Sequence, residues 1–575
     1  MFDQFKPKQQ RSSKEVYSGQ RDSDKGDEPY QTIPPGGGIA PYAVNGLGRW
    51  NYYFLLKLFL FWRGSIGFHS LENMAFAAFL LVTFSSKLAK SLKSISAVVM
   101  GVALFYHDTW LPSISRAWSQ IEVIKGFSFS YFVELTLRYI SLEFIALAFL
   151  LWILYQYIDK WVRTSVVVFL ALMVMSYQTL FPSIDIDSDL LAGDPGDARL
   201  TQIDAMAGGF SASPGESLDA ALTNFFNTEK LRKVDFPSQA GGFSPFDILV
   251  LNICSLSWDD LEYTGLHVHP VFNELDIVLS NFSSGASYSG PAAIRLMRAS
   301  CGQLSHSELY EESPKHCFLF DNLKKLGFDN QVVMNHDGSF DNFIDLIERE
   351  GHFGKKAMDL TGVKVAQHSF DGTPIYSDLD SLSHWISKRN DNTNERVATY
   401  YNSISLHDGN RLAGAQANLN SLENFHPRMT TFLTELSLFF EQLKASNRRV
   451  MVVMVPEHGA AARGDAMQAA AFREIPSPSI AKVPVGIKFF GPEYNDKQPT
   501  TTTVNRPTSY LALSHVIAKA VETDPYKGDF DVDSLLIDLP ETNFVAENSG
   551  TIVAKKGSQY FVKFNNADWI KYPAR

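Results

Sequence analysis

Long apolar segments are concentrated in residues 49–181, where five of them are separated by less apolar stretches of different lengths. The last two segments are long enough to cross a bilayer, whose hydrocarbon core is spanned by about 20 apolar residues. Lys57 and Arg63 interrupt the first segment, so four crossings are an alternative to five. The pattern predicts an N-terminal bundle of about five transmembrane helices, at residues 51–68, 71–84, 95–106, 139–157 and 161–180.

The polar stretches around these segments predict the orientation of the chain. Residues 1–48 are rich in Gly, Pro and charge, and we expect them to form a disordered cytoplasmic tail. Lysines 87, 90 and 93 follow the second segment, and Lys160 and Arg163 follow the fourth. Because basic loops stay cytoplasmic, the region after residue 181 is expected outside the inner membrane, in the periplasm of a double-membrane bacterium.

Residues 182–245 are predicted to form a connector that contains one amphipathic helix. Its apolar side chains share one face at helical spacing, namely Leu218, Ala221, Leu222, Phe225 and Phe226. That face could lie on the bilayer, or it could pack against the domain that follows. Both alternatives are open at this point.

From residue 246 the pattern changes to short Val-rich runs that alternate with amphipathic stretches. Such runs are typical of strands that are buried on both faces of a parallel sheet. Strands are predicted at 247–256, 331–335, 397–406, 450–455 and 483–490, and helices at 291–299, 318–326, 340–349, 428–445 and 509–521. The alternation predicts an α/β domain over residues 246–575 with a doubly wound, mostly parallel sheet. Residues 551–564 are predicted to form a terminal hairpin.

Net charge and cysteine content narrow the choice of partners and compartment. The net charge of −11 is spread along the chain without a dense basic patch, which argues against a nucleic-acid partner. Cys301 and Cys317 are sixteen residues apart and could close a disulfide worth about 3 kcal/mol. Cys254 would then be either buried and inert, or a ligand or reactive thiol.

Side chains with metal-ligand chemistry follow two of the buried strands. Cys254 ends the first strand, and Glu457 and His458 follow the run RVMVVMVP. The plainer interpretation is a small buried cysteine and an ordinary strand-to-loop turn. Ligands, however, bind outside the carboxyl ends of such strands, and the three side chains converge if the two strands are neighbours. A thiolate, a carboxylate and an imidazole suit zinc, and three protein ligands with one open position are typical of a catalytic zinc site.

Ser289 is the candidate nucleophile. In the sequence SYSGPAAIRLMRASCG it stands directly before Gly-Pro, at the start of a predicted helix. Free backbone N–H groups and the helix dipole stabilise an anion there, a phosphate in particular. A zinc ion beside Ser289 would favour loss of its hydroxyl proton and so activate it. The alternative is a plain helix cap.

Four further residues are weaker candidates. His407 ends the strand that precedes the Glu-His strand, and it could act as general acid or base or orient a phosphoryl oxygen. Arg473 follows in AAFREIPSP and could pair with a phosphate. His336 and His515 are weaker candidates of the same kind as His407. A structural hydrogen bond is the alternative for each histidine, and a solvated surface position is the alternative for Arg473.

The order of these motifs resembles that of the alkaline phosphatase and sulfatase superfamily. Membrane helices joined to an external domain resemble, within it, the phosphoethanolamine transferases that modify bacterial envelope glycans and lipid A. Cys254 in LNICSLSWDDL stands where relatives carry an acid, and Glu457-His458-Gly459 stands where relatives carry Asp-His-Gly. Together with ASYSGP at 286–291, these motifs resemble the cellulose phosphoethanolamine transferases of bacterial cellulose systems.

The resemblance implies an alkaline phosphatase-like fold, one zinc ion and a covalent serine intermediate. Cys254, Glu457 and His458 would bind the zinc, and the nucleophile Ser289 would also contact it. Tyr288, His407 and Arg473 would bind the phosphoryl group or assist proton transfer. Cys301 and Cys317 would form a disulfide.

The implied reaction transfers phosphoethanolamine from membrane phosphatidylethanolamine to glucose 6-hydroxyl groups of nascent cellulose. The cellulose synthase complex is the implied partner. Three alternatives are open at this point. The acceptor could be another envelope glycan or lipid A, water could take the second step, or the protein could be a non-enzymatic membrane scaffold of the synthase complex.

Overall fold

The computed structural model describes most of the chain, and one compact unit, Leu47–Arg575, contains nearly all of it. The structure describes residues 46–63, 66–109, 128–139, 142–180, 217–238, 243–354, 356–414, 422–495, 500–528, 530–565 and 567–573. The expected tail and the first part of the expected connector lie outside these residues. The boundaries predicted there therefore stay predictions.

Each predicted membrane segment contains a helix in the structure, although residues 66–68, 82–84 and 161–163 of these segments are described and not helical. The N-terminal helices are Trp50–Trp62 (α1), Ser70–Leu81 (α2), Lys87–Asp108 (α3), Phe129–Tyr139 (α4), Leu142–Ile158 (α5) and Thr164–Leu180 (α6). Helix α3 begins earlier than predicted, because the hydroxyl group of Ser86 caps it by accepting a hydrogen bond from the Ala89 backbone at 3.1 Å. Lys87, Lys90 and Lys93 therefore lie on its first two turns, and their predicted place in a loop is wrong.

Among the described helices, α3 alone is long and apolar enough to cross a membrane by length and composition. Helices α1 and α2 have 13 and 12 residues. At about 1.5 Å per residue each falls short of a hydrocarbon core about 30 Å thick. Five crossings are therefore not confirmed, and the count of spans stays a prediction.

A seven-stranded sheet forms the centre of the C-terminal domain, in the order β10-β2-β9-β8-β1-β6-β3. Its strands are Asp247–Ile253 (β1), Ile277–Ser283 (β2), Asp329–Met334 (β3), Val397–Ser403 (β6), Val450–Pro456 (β8), Lys482–Phe490 (β9) and Thr502–Val504 (β10). Every neighbouring pair is parallel except the two pairs that β9 makes. The mostly parallel sheet is thus confirmed, and β2 and β10 are additions to the predicted set.

Strand β9 departs from the predicted alternation for a local reason. Between β8 and β9 the chain forms only a four-residue helix, Pro478–Ala481, in place of a long crossover helix. A parallel connection needs a crossover of a dozen or more residues, usually helical, whereas an antiparallel strand can return directly. Strand β9 starts at the end of the sheet where β8 ends and runs antiparallel to it.

Helices cover both faces of this sheet, and smaller sheets flank it. After the connector helix Leu218–Glu229 (α7), the helices are Trp258–Thr264 (α8), Ser289–Met297 (α9), Leu319–Lys325 (α10), Phe343–Gly351 (α11), Asp378–Asn390 (α12), Phe425–Ser446 (α13), Pro478–Ala481 (α14) and Tyr510–Thr523 (α15). The smaller sheets contain Val365–His368 (β4), Pro374–Tyr376 (β5) and Arg411–Leu412 (β7), and Val545–Asn548 (β11), Thr551–Lys556 (β12), Gln559–Phe564 (β13) and Ile570–Lys571 (β14). The predicted terminal hairpin is β12–β13.

Two hydrophobic cores explain the unbroken apolar runs of the central strands. Along β1, Ile248 and Val250 belong to the core that includes α9 and α15, whereas Leu249 and Leu251 belong to the core that includes α12 and α13. Since alternate side chains of one strand enter opposite cores, no position on it can be polar without cost until the strand ends. Polar site residues are therefore confined to the strand ends.

The connector helix α7 packs against the C-terminal sheet. Phe225 and Phe226 share a buried cluster with Val545 of β11 and Ala554 of β12. The interpretation that its apolar face packs on the neighbouring domain is confirmed. The predicted disulfide between Cys301 and Cys317 is also present, so Cys254 is the free, buried cysteine.

Candidate metal and nucleophile site

The two strands that carry the predicted metal ligands are neighbours. Strands β1 and β8 pair in parallel, and Ile253 lies opposite Pro456 at their carboxyl ends. The Glu457 backbone N–H extends the ladder by donating to the Ile253 carbonyl at 2.9 Å. Cys254 and Glu457 therefore leave the sheet side by side, and His458 follows. Ligand atoms of the three residues lie within 4.8 Å of one another, and all three residues are fully buried.

The hydrogen bonds of this cluster leave its metal-binding atoms available. Asn402 donates from Nδ2 to Oε1 of Glu457 at 2.7 Å. The other oxygen of Glu457, Oε2, is buried without a hydrogen-bond partner among the described residues. Nδ1 of His458 lies 2.9 Å from the Gly459 carbonyl, to which it donates, so the lone pair is on Nε2. A buried carboxylate oxygen of this kind is expected where a cation binds.

Burial also disfavours charge on each of the three groups. It raises the pKa of Cys254 to about 12, with a further contribution from Glu457. It raises the pKa of Glu457, and burial and then the cation of Arg473 lower the pKa of His458. A divalent cation reverses this balance, because it favours the thiolate and the carboxylate and binds neutral imidazole. The donor set and its burial therefore fit zinc.

Ser289 lies beside the cluster, at the N-terminus of α9. Tyr288 precedes it in an extended conformation, so Ser289 is the first helical residue. Its Oγ is 3.6 Å from Sγ of Cys254 and 3.4 Å from Nε2 of His458. The first turn of a helix has backbone N–H groups without intrahelical acceptors, which suit an anionic group bound at Ser289.

Arg473 and Tyr288 form one side of the site. Nη1 of Arg473 is 3.3 Å from Oγ of Ser255, and it lies 3.2 and 3.4 Å from the two ring nitrogens of His458. The guanidinium carbon is 5.4 Å from the ring centroid of Tyr288. The hydroxyl group of Tyr288 donates to Glu474 at 2.8 Å. Arg473 is therefore a cation at the site, not a solvated surface arginine.

One cavity of about 1010 Å³ joins these residues to His407. Ser289, Tyr288, Arg473 and His407 all line it. Nδ1 of His407 donates to the Asp408 carbonyl at 2.7 Å, which leaves the lone pair on Nε2. Burial, and then the charge of Arg473, lower the pKa of His407 to about 4. His407 is therefore neutral near pH 7 and can accept a proton.

The structure places His336 at the cavity but not His515, and it shows one further site residue that the sequence analysis did not single out. His336 lines the cavity, and its Nε2 is 2.8 Å from Oδ1 of Asn402. His515 contacts the Ile537 carbonyl at 2.9 Å and is not among the residues that line the cavity. Asn402 links His336 to Glu457, and sequence reasoning missed it. The available signal is a polar side chain near the end of the buried run VATYYNS.

Comparison with known families covers nearly the whole described chain. Residues 50–177 match the family model of the cellulose biosynthesis protein BcsG N-terminal domain, and residues 207–569 match that of its C-terminal domain. The chain belongs to the BcsG family. The BcsG protein of Escherichia coli K12 is 40% identical over 549 residues, covering 92% of this chain and 96% of the relative. That of Salmonella typhimurium LT2 is 39% identical over 546 residues, with the same coverage. The family models and both relatives are described as cellulose biosynthesis proteins.

Solved structures resemble the C-terminal domain more distantly. The periplasmic domain of EcEptC from Escherichia coli is 13% identical, with a TM-score of 0.41, and covers 59% of this chain and 96% of that one. Its complex with Zn has a TM-score of 0.37 at 13% identity, covering 50% and 85%. An alkaline phosphatase superfamily protein from Vibrio parahaemolyticus has a TM-score of 0.41 at 12% identity, covering 59% and 81%. Membership of the BcsG family rests on the sequence comparisons alone.

Proposed function

We propose that this BcsG protein transfers phosphoethanolamine from phosphatidylethanolamine to glucose 6-hydroxyl groups of nascent cellulose, with zinc and a covalent intermediate on Ser289. One observation carries the proposal. Oγ of Ser289, at a helix N-terminus, lies within 4 Å of two members of a buried Cys-Glu-His cluster. The candidate nucleophile therefore lies at a helix end that can bind an anion and next to a set of donor atoms that suits zinc.

Cys254, Glu457 and His458 would hold the metal through Sγ, Oε2 and Nε2. Bound zinc would supply Lewis-acid stabilisation of the negative charge that develops on the phosphoryl oxygens and on Ser289. Asn402 orients the carboxylate of Glu457, and the Gly459 carbonyl orients the His458 ring. Such outer contacts fix ligand geometry and contribute to metal affinity.

In the first step, Oγ of Ser289 forms a bond to the lipid phosphorus and the bond to the diacylglycerol oxygen breaks. The hydroxyl proton of Ser289 ends on that oxygen, so diacylglycerol leaves as an alcohol. The N–H groups of the first turn of α9 and the guanidinium of Arg473 stabilise the phosphoryl charge. Phosphoethanolamine remains esterified to Ser289.

In the second step, the glucose hydroxyl oxygen attacks the phosphorus and the bond to Ser289 breaks. Because the lowered pKa keeps His407 neutral, its Nε2 accepts the proton of the attacking hydroxyl, which finally returns to Oγ of Ser289. Tyr288, whose hydroxyl group is held by Glu474, lines the cavity next to Arg473 and supports its position.

The proposed location is the inner membrane, with the catalytic domain in the periplasm. Large apolar side chains of α3, α5 and α6 are exposed in the isolated chain, Val102, Phe149 and Leu170 among them, as lipid-facing residues would be. The disulfide between Cys301 and Cys317 fits an oxidising compartment. The proposed organisation is a cytoplasmic tail over residues 1–48, about five membrane spans over 49–181 and a connector over 182–245. The proposed partner is the cellulose synthase complex.

An acceptor assay tests the proposal. Full-length protein is incubated with phosphatidylethanolamine vesicles and, separately, cello-oligosaccharides or lipid A. We expect phosphoethanolamine on the glucose 6-hydroxyl groups and diacylglycerol in equal amount. Product on lipid A alone would replace cellulose as acceptor, and free phosphoethanolamine at a rate independent of glycan would indicate a hydrolase.

The metal is tested independently of turnover. We expect one zinc per chain in wild-type protein and a large loss in Cys254→Ala, because three ligands become two. Cys301→Ala with Cys317→Ala serves as the control, since it also replaces cysteine but removes only the disulfide and leaves the cluster intact. Equal zinc in wild type and Cys254→Ala would remove Cys254 from the site.

A further inference from the structure

A helix from the N-terminal region forms part of the wall of the reaction cavity. Tyr131 of α4 is 7% exposed and lines the cavity together with Ser289 and His407. Its hydroxyl group donates to Oδ2 of Asp408, the residue after His407, at 2.9 Å. One turn further along α4, Oε2 of Glu134 is 2.8 Å from Nη2 of Arg411. Two side chains of α4 thus hold the loop 404–411.

The loop backbone is shaped to accept Tyr131. Gly409 has a φ of +85°, and a Cβ atom there would lie 2.5 Å from Cβ of Phe370 and 2.9 Å from Cε2 of Tyr131. The rings of Tyr131 and Phe370 are 5.7 Å apart, and those of Phe370 and His407 are 5.2 Å apart. A continuous series of contacts therefore runs from α4 to the His407 ring.

The opposite side of the loop is held from within the C-terminal domain. Arg428 of α13 is fully buried, and its Nη1 donates to the carbonyls of Ser405 and His407 at 2.8 and 2.9 Å. These bonds hold the backbone of the loop, whereas Tyr131 and Glu134 hold the side chains of Asp408 and Arg411.

We propose that α4 is a positioning element of the reaction site, which places the His407 loop through Tyr131 and Glu134. The inference rests on the proposed role of His407 in the transfer. It adds that the active cavity is complete only when the membrane-region helix and the catalytic domain are joined. Because α4 comes directly before α5 in the chain, a shift of that region moves a wall of the cavity.

The test uses full-length protein and a nitrophenyl ester of phosphoethanolamine as a soluble donor probe. We expect Tyr131→Phe to lower kcat about tenfold, the loss typical of one hydrogen bond to a charged group, with KM for the probe within about twofold. Thr136→Ala on the same helix removes only a bond within α4, and we expect wild-type kcat. Equal kcat in wild type and Tyr131→Phe would overturn the proposal.

Charge exchange gives a readout that general destabilisation would not produce. We expect Glu134→Arg and Arg411→Glu each to lower kcat about threefold, as for a partly exposed ion pair. The double variant should recover most of that loss, and no recovery would count against the contact. If wild type turns over neither the probe nor phosphatidylethanolamine in the acceptor assay, the proposed function fails. Hydrogen exchange of the loop 404–411 then tests the positioning role. We expect faster exchange in Tyr131→Phe than in Thr136→Ala, and equal exchange would overturn the proposal.

Discussion

Nδ2 of Asn402 lies 2.7 Å from Oε1 of Glu457, and both residues are fully buried. Asn402 is on β6, whereas Glu457 follows β8, and β1 lies between the two strands. The amide therefore reaches across the end of β1 and leaves Oε2 as the remaining acceptor of the carboxylate. This arrangement orients the buried carboxylate and leaves Oε2 as the oxygen that would bind the proposed metal.

Removal of this amide should weaken zinc binding. We expect Asn402→Ala to bind zinc about tenfold more weakly, the lower end of the effect of outer-contact mutations. Competition titration with a chelator measures it. His336→Ala is the matched control, because it removes another side-chain partner of Asn402 and spares Glu457. If both variants bind zinc as tightly as wild type, Asn402 does not orient the ligand.

Variants of two nearby serines, Ser287 and Ser289, distinguish loss of the nucleophile from a structural effect. We expect Ser289→Ala to lose more than about a thousandfold in transfer rate, as nucleophile variants do, while its zinc content stays at the wild-type level. Ser287→Ala makes the same change two residues earlier, where the buried hydroxyl oxygen has no hydrogen-bond partner among the described residues, and it should stay near wild-type rate. Normal transfer by Ser289→Ala would refute the covalent step.

The lowered pKa of His407 predicts how stability depends on pH. Burial and Arg473 hold it at about 4, against about 6.5 in an unfolded chain. Between these values the unfolded state binds a proton that the folded state does not, so stability falls as the pH falls through that window, by at most about 3 kcal/mol. A bound cation would lower the pKa further and keep the sign.

Urea unfolding of metal-free protein at about pH 7 and about pH 4.5 checks this. We expect His407→Gln to lose less stability than wild type on acidification, because it lacks the group that titrates. His267→Gln, at an exposed position, should behave as wild type. Equal losses in wild type and His407→Gln would show that His407 is not held neutral.

The disulfide should contribute to stability and not to the metal site. Cys301 and Cys317 close a loop over a sequence separation of 16, which predicts a loss of about 3 kcal/mol in the free energy of unfolding when both are replaced by Ala. Zinc per chain should be unchanged. Reductant should destabilise wild type and have no effect on the double variant; a reductant effect that persists there would point to another cause.

Local pattern alone determined the elements that carry the chemistry. Apolar runs predicted β1 and β8, and the candidate ligands Cys254 and the Glu457-His458 pair follow directly after them. Ser289 before Gly-Pro predicted the start of α9. These inferences succeed because burial on both faces makes a polar side chain within a strand costly, and because capping is decided within a few residues.

Tertiary structure decided which of these ends meet. It paired β1 with β8, reversed the direction of β9, and brought Asn402 to Glu457 and Tyr131 to the His407 loop. These contacts join residues up to 277 positions apart. No local pattern encodes such pairings, since strand order and domain contacts follow from how whole faces pack. The length of α1 and α2 was likewise settled by their observed ends and not by hydropathy.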